Sequence, residues 1–422
     1  MSSAEMEQPA LETEEVWAGE FDPLADPEER RVLFAALDSF RQYRRTAHSN
    51  TTHRRRQEFY ALPSLHRQML TEPPFSMLEA FNQVDDAIDA SADLADAILA
   101  SGLEAFGLPV DPNDDNPRTS WHNTATSSDV NKAHSTVRQF YRDWSAEGSR
   151  EREICYDPVM RDIQEIFPNK PHHEIHVLVP GAGLGRLVFD LCAVGYTAEG
   201  NEISYHQLLA SSWVLNHSAG LGEFALYPFA LQFSNLRSRR QQLVKVMIPD
   251  VHPGTLVTEQ IAGAESGRIP GSMSMSAADF IVAYGSPSNK ESYDVVATIF
   301  FIDTAPNLIR YIETIHNCLK PGGAWINIGP LLWHFEDKPL ESSSHEHTHS
   351  ASKDWDKQHQ GIAEPGRVEF TEEEILILLD KMGFQIVKRD SESRDCGYIQ
   401  DPESMLQNLY RPSHWVAIKK TQ

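Results

Sequence analysis

The chain has 422 residues, more than one ordinary domain needs, with 37 lysines and arginines against 61 acidic residues and a net charge of -24; a large α/β unit with a helical part attached is expected. That charge opposes close approach to nucleic acid or an anionic membrane, so neither is an expected partner and a basic or zwitterionic small substrate suits it better. No apolar run approaches the roughly 18 residues of a membrane span. The four cysteines, Cys155, Cys192, Cys318 and Cys396, show no metal-type spacing, and the acidic amino terminus does not read as a signal peptide, so an intracellular, reducing setting is expected.

In chain order, residues 1–26 are acidic and poor in large apolar groups and read as a disordered arm. From Pro27 to about Gly107 apolar residues recur every three or four positions, as in RRVLFAALDSFRQY, SMLEAFNQVDDAIDA and SADLADAILA, which predicts helices. The basic residues Arg44, Arg45, Arg54, Arg55 and Arg56 read as their wet face rather than as a nuclear address or anion patch. Turn formers crowd Val110–Asp129, a linker that completes a helical region over residues 27–129. A helix is expected to restart at Val130, in NKAHSTVRQFYRDWSAEG, and to open a second domain over 130–422. Beyond Ile175 short β-rich runs alternate with helical segments. HVLVP, YTAEGNE, DVVATIFF and AWINIGP are predicted strands at spacings that suit crossover helices, hence a parallel sheet. Thr371 and Glu374 form a capping box, Gly383 ends that helix, and FQIVKRD and HWVAIKK are closing strands. The Ser/His-rich stretch Glu341–Gly366 reads as a flexible insertion. Its His345, His347 and His349 lack further ligands at a known spacing, so no metal site is expected.

Gly181, Gly183 and Gly185 follow HVLVP as G-x-G-x-G. A dinucleotide fingerprint needs its third glycine where this chain has Arg186, which disfavours a nicotinamide oxidoreductase. The glycines still let the backbone press against a ligand ahead of a helix expected near Leu184. Glu202, at the end of the next strand, stands where a carboxylate accepts from both hydroxyls of an adenosine ribose. Asp279 and Phe280 follow the third-strand region, where an acid can accept from an adenine amino group and a ring can cover the base. Asp294 opens a fourth strand, and DTAPNLIRYIETIHNCL leads through LKPGG into a fifth. This order of parts is that of a class I S-adenosylmethionine-dependent methyltransferase, with a seven-stranded Rossmann-like α/β sheet.

VLVPGAGLGRL, GNEIS, QFSNLRS, PDVHP, FFIDTAPNLIRYIETI, LKPGGAWINIGPLLWHFED and QFYRDWSAEG together resemble the carnosine N-methyltransferase family, from about Pro27 to the end. The resemblance implies methyl transfer from S-adenosylmethionine, leaving S-adenosylhomocysteine, to the imidazole of carnosine to give anserine, or to a related histidine-containing dipeptide. It places cofactor contacts on Gln139, Arg142, Gly181, Gly183, Glu202, Asp279 and Phe280, and a further one on Val295, where the family has cysteine. Arg142 suits the methionine carboxylate, which a guanidinium holds with two parallel bonds. The helical region is expected to build a lid over the cofactor or a homodimer face, and the compartment to be cytoplasm, with the nucleus also considered.

Asp303, in FFIDTA at the end of the fourth strand, is the expected catalytic residue. There a carboxylate can bind one imidazole N–H, leave the other nitrogen its lone pair, and stabilise the positive charge that methylation develops. His334 and Tyr410 are the other substrate contacts implied by the resemblance, while Asn408 stands where the family has a second tyrosine. Methyl transfer to another imidazole or amine, and a non-catalytic S-adenosylmethionine-binding partner, remain as alternatives.

Overall fold

The computed structural model describes residues 22–112, 116–255, 258, 271–336, 366–390 and 394–421. Of the arm expected over residues 1–26, residues 1–21 lie outside these, as do the three alternate histidines and the rest of the insertion up to residue 365; residues 22–26 form a turn that leads to the cap of the first helix.

Helix Pro27–His48 starts at Asp26, whose carboxylate accepts from the Glu28 and Glu29 amides, with proline at the first turn where no amide donor is needed. It sets Leu33, Leu37 and Phe40 against the long helix Met77–Ala105, which buries Val84, Ile88, Ala92 and Ile98. A further helix packed on the first, Ser127–Trp144, begins three residues before the expected Val130. Thr126 accepts from the Asp129 amide while the Asp129 carboxylate accepts from the Thr126 amide, and this reciprocal cap fixes the earlier start. Much of the basic stretch is neutralised in place: Arg44 pairs with Asp89, Asp93 and Asp96, Arg56 with Asp85 and Arg54 with Glu58.

The strands in order are β1 (His176–Pro180), β2 (Thr197–Glu202), β3 (Phe224–Leu226), β4 (Val246–Ile248), β5 (Ser272–Ala277), β6 (Tyr293–Ile299), β7 (Leu319–Gly329), β8 (Phe384–Asp390) and β9 (Ser413–Lys419). Seven form one sheet in the order β5-β2-β1-β6-β7-β9-β8. All its neighbours run parallel except at β9, which is antiparallel to both β7 and β8. This is the α/β methyltransferase sheet expected. Along β1 and β6 successive residues feed opposite cores: Val177 and Val295 pack on one face, Leu178 and Val296 on the other. Both faces are therefore covered, as continuous apolar strands require.

Two departures matter. LKPGG is a bulge inside β7, not a turn before it: pairing steps from Tyr293–Leu319 to Val295–Ala324, and Gly322 takes φ +76°. The antiparallel pair β3 and β4, which has no counterpart among the predicted strands, sits in an insertion between β2 and β5. Leu226, Phe229 and Ile248 from that insertion join Leu37, Phe40, Phe140, Leu184 and Leu209 in one core, so the helical layer and the sheet unit are packed as a continuous body. Among the described residues no helix is long and apolar enough to cross a membrane.

Candidate active site

All three glycines of the turn are left-handed, Gly181 at φ +66°, Gly183 at +57° and Gly185 at +74°. Glycine takes this conformation without strain. The following helix starts at Arg186, two residues later than expected, because Gly185 in that conformation is its cap. A Cβ at position 181 would stand 2.5 Å from the Phe301 ring, and one at 183 would stand 3.0 Å from Gln139 Nε2. Gly181→Ala is accordingly expected to cost about 2–5 kcal/mol, from the left-handed backbone and the overpacking together, read as a lower denaturant midpoint.

A cavity of about 420 Å³ opens at the carboxyl ends of β1, β2 and β6, where the strand order reverses and ligands of open α/β sheets bind. Its wall brings together Gln139, Arg142, Gly181, Gly183, Glu202, Asp279, Phe280 and His334. Glu202 is oriented by backbone: Oε1 accepts from the Ile203 and Ser204 amides and Oε2 from Gly183 at 3.0 Å. Burial raises its pKa, and those three bonds work the other way. Each carboxylate oxygen has two lone pairs, so Oε2 keeps one for a ribose hydroxyl, where two such bonds were expected. Asp279 caps the helix Phe280–Tyr284 through Oδ1, which fixes its position. Phe280 joins Phe301 and Tyr311 in an aromatic wall, the last two stacked at 4.9 Å.

Asp143, which the sequence reading passed over, organises the helix's contribution. Its buried carboxylate accepts from Arg142 Nε at 2.7 Å, Gln139 Nε2 at 2.9 Å and the Tyr156 hydroxyl at 3.2 Å. Burial opposes the Arg142 charge, but the neighbouring Asp143 outweighs it and raises the pKa well above the ordinary value. The guanidinium is thus kept charged beside the cavity.

Asp303 lies at this end of the sheet but not in the cavity wall; it is 2% exposed. A short 3₁₀ turn, Ile302–Thr304, folds its carboxylate inward so that Oδ2 accepts from the Leu332 amide at 3.1 Å. Oδ1 has no partner among the described residues. Burial raises its pKa, while the Leu332 bond and His334 lower it. His334, which does line the cavity, donates its backbone N–H to the Asp303 carbonyl at 3.2 Å.

Two expected contacts fall elsewhere. Val295 is fully buried inside β6, registered on Val177 and packed in the sheet core, too far back along the strand to reach its ligand-facing end. Ile299, four residues on, occupies the cavity wall instead. Tyr410 is held by a backbone bridge to Cys396 and lines a separate, neighbouring cavity. Its ring lies 5.7 Å from that of Phe300, which lines the first cavity.

Phe300 itself was not anticipated. It takes φ +52°, uncommon for a bulky residue, and turns the chain sharply off β6 toward Phe301 and Asp303. Such strain costs of order 1–3 kcal/mol and gathers at functional sites. Tyr398 was also missed: it lines both cavities, and the Arg142 guanidinium lies 4.5 Å from its ring centre.

A family profile described as carnosine N-methyltransferase matches residues 119–421. The carnosine N-methyltransferase of Schizosaccharomyces pombe is 35% identical over 394 residues, covering 93% of this chain and 96% of that one. That of Mus musculus is 36% identical over 75% of this chain and 74% of its own. A solved S-adenosylmethionine-dependent methyltransferase from Methanosarcina mazei is similar over 61% of this chain at 15% identity, with a TM-score of 0.34, too slight a likeness to carry weight. On the sequence matches, the chain belongs to the carnosine N-methyltransferase family and is an S-adenosylmethionine-dependent methyltransferase.

Proposed function

We propose that the chain transfers a methyl group from S-adenosylmethionine to an imidazole nitrogen of carnosine, forming anserine, or of a related histidine-containing dipeptide. The observation that carries the acceptor assignment is the Oδ1 of Asp303, buried just behind the cavity wall beside His334 and without a partner among the described residues. An imidazole N–H is the partner that oxygen lacks.

The cavity residues fit the donor. Glycines without Cβ leave room against the backbone, Arg142 suits an α-carboxylate, Glu202 Oε2 retains a lone pair for a hydroxyl, and Phe280 offers a ring face to a base. Bound there, S-adenosylmethionine supplies an electrophilic methyl carbon on a sulfonium. Asp303 holds one ring N–H, so the opposite nitrogen presents its lone pair, and the carboxylate stabilises the charge as the imidazolium forms. The held proton is the one that leaves afterwards. Free imidazole has a pKa of about 6.5, so most acceptor is neutral at pH 7 and positioning, more than basicity, supplies the rate.

Incubation with methyl-labelled S-adenosylmethionine and carnosine, homocarnosine, free histidine or a protein extract tests the reading. Label is expected on the carnosine imidazole. Label confined to the extract would move the assignment to another acceptor, and no transfer despite cofactor binding would leave only a binding protein. We place the chain in the cytoplasm, with the nucleus as the second compartment; imaging of the tagged full-length chain in cells distinguishes the two. Four buried cysteines, none in a disulfide among the described residues and two of them with sulfurs 3.4 Å apart, support a reducing compartment.

A further inference from the structure

A second cavity, of about 550 Å³, lies against the first and shares the Tyr398 side chain with it. Its wall holds Tyr410 and Asn408 together with Arg55, Arg138, Phe233 and Asp401. Arg138 Nη2 donates to the Ile399 carbonyl at 2.8 Å. With its amide oxygen turned to the guanidinium, Gln232 accepts from Nη2 and Nη1 at 3.1 and 3.3 Å. Arg138 Nε is buried without a partner among the described residues. Arg55 gives one nitrogen to the Thr51 carbonyl and lies 3.9 Å over the Phe233 ring, with Arg239 approaching the same ring at 5.1 Å.

Arg55 and Arg138 have no carboxylate at ion-pair distance among the described residues, whereas Arg44, Arg56, Arg142, Arg152 and Arg186 all do. In a chain of net charge -24 this is not for lack of acids. The one acid in the wall is engaged elsewhere: Asp401 accepts from Gln241 Nε2 and the Glu403 amide. Burial works against the charge of both arginines and lowers their pKa, outweighing the opposite pull of Glu151 and Asp401 on Arg138 and of Glu58 on Arg55, none of which comes within ion-pair distance of them among the described residues. A guanidinium partly stripped of water and not directly paired with a carboxylate among the described residues is prepared to take an anion.

Resting on the acceptor reading above, we propose that this second cavity binds the carboxylate of the histidine dipeptide, with Arg138 as the residue that makes the enzyme select acceptors carrying one. The carboxylate of such a dipeptide hangs a few bonds from its imidazole. A ring presented to Asp303 and His334 therefore sends it past Tyr398 toward the arginines. The planar guanidinium matches a carboxylate with paired N–H groups in a way a lysine cannot.

The test compares carnosine with its decarboxylated analogue β-alanylhistamine. The wild type is expected to show a KM for carnosine well below that for the analogue. Arg138→Met is expected to raise the carnosine KM about 10- to 100-fold, the size of a lost charge-assisted hydrogen bond, while the analogue's KM and that of S-adenosylmethionine stay within about twofold. Arg55→Met, on a separate helix, is expected to shift the carnosine KM in the same direction by less, and Arg138→Lys to recover part of the loss. Equal shifts for both acceptors in Arg138→Met, or a wild type that methylates both equally well, would overturn this inference and leave the proposed function standing. A wild type that methylates neither overturns both.

Discussion

Asp303→Asn is expected to lower kcat by about 10²–10⁴-fold while the affinity for S-adenosylmethionine, measured by calorimetry, stays within about twofold. The amide keeps the shape and one oxygen for the Leu332 amide, but loses the charge that faces the developing imidazolium. The same variant is expected to be at least as stable as the wild type. An acid whose folded pKa is raised binds more protons folded than unfolded between its two pKa values, so stability falls as pH rises through that window. Above its raised folded pKa the ionised, desolvated Asp303 therefore costs stability, and asparagine removes that cost. In the wild type, acidification protonates Asp303 and the acceptor imidazole alike, so activity should fall on the acid side for two reasons. The residual activity of the variant should follow the imidazole alone. Retained turnover in Asp303→Asn would remove this carboxylate from the chemistry, and a variant several kcal/mol less stable would mark it as structural.

The donor half of the site was legible because it is local. The glycine turn and Glu202 belong to one β-strand, helix, β-strand unit, and apolar runs with turn residues between them announce such a unit directly. The capping box at Thr371 and Glu374 was read for the same reason and is formed as expected. The misses share a different origin. Strands of three residues, Phe224–Leu226 and Val246–Ile248, are too short to show alternation, so no strand is predicted in the insertion that supplies Gln232 and Phe233. A positive φ at a phenylalanine follows from the tertiary frame, because no residue preference asks for it. Tyr398 is held at the cavities by contacts distant in sequence: Glu151 accepts from the Ile399 and Gln400 amides, nearly 250 residues on, and Arg138 donates to the Ile399 carbonyl. The acceptor side is assembled from such distant pieces, which is why Tyr410 could be named and its cavity could not. Val295 illustrates the cost of carrying a position over by motif alone: the strand was right, but the residue lies on its buried stretch, and Ile299 at the ligand-facing end was four positions away.

Asp143→Asn is expected to raise the KM for S-adenosylmethionine about 10- to 100-fold, to change kcat much less, and to lower stability by about 3–5 kcal/mol. One carboxylate, 2% exposed, sets the side chains of both Gln139 and Arg142, and its removal leaves the nearly buried Arg142 without its counter-ion. Asparagine still accepts through one oxygen, yet its amide group then faces the donors of Gln139 or Arg142, so one of the two contacts turns unfavourable. Misplacing the arginine weakens ground-state and transition-state binding of the donor together, which is why the loss belongs in KM. The damage should also reach the glycine turn's helix, because Arg186 donates to the Asp143 carbonyl and pairs with Asp190 and Asp250. Tyr156→Phe separates the two roles. It removes the hydroxyl's bond to Asp143 at 3.2 Å and the longer one it accepts from Arg142 Nη2 at 3.4 Å but keeps the Arg142–Asp143 pair, so about 1–3 kcal/mol of stability should be lost while the cofactor KM rises far less than in Asp143→Asn. If Tyr156→Phe raised that KM as far as Asp143→Asn does, packing around the tyrosine, and not the charge on Asp143, would be what holds Arg142 in the cavity wall.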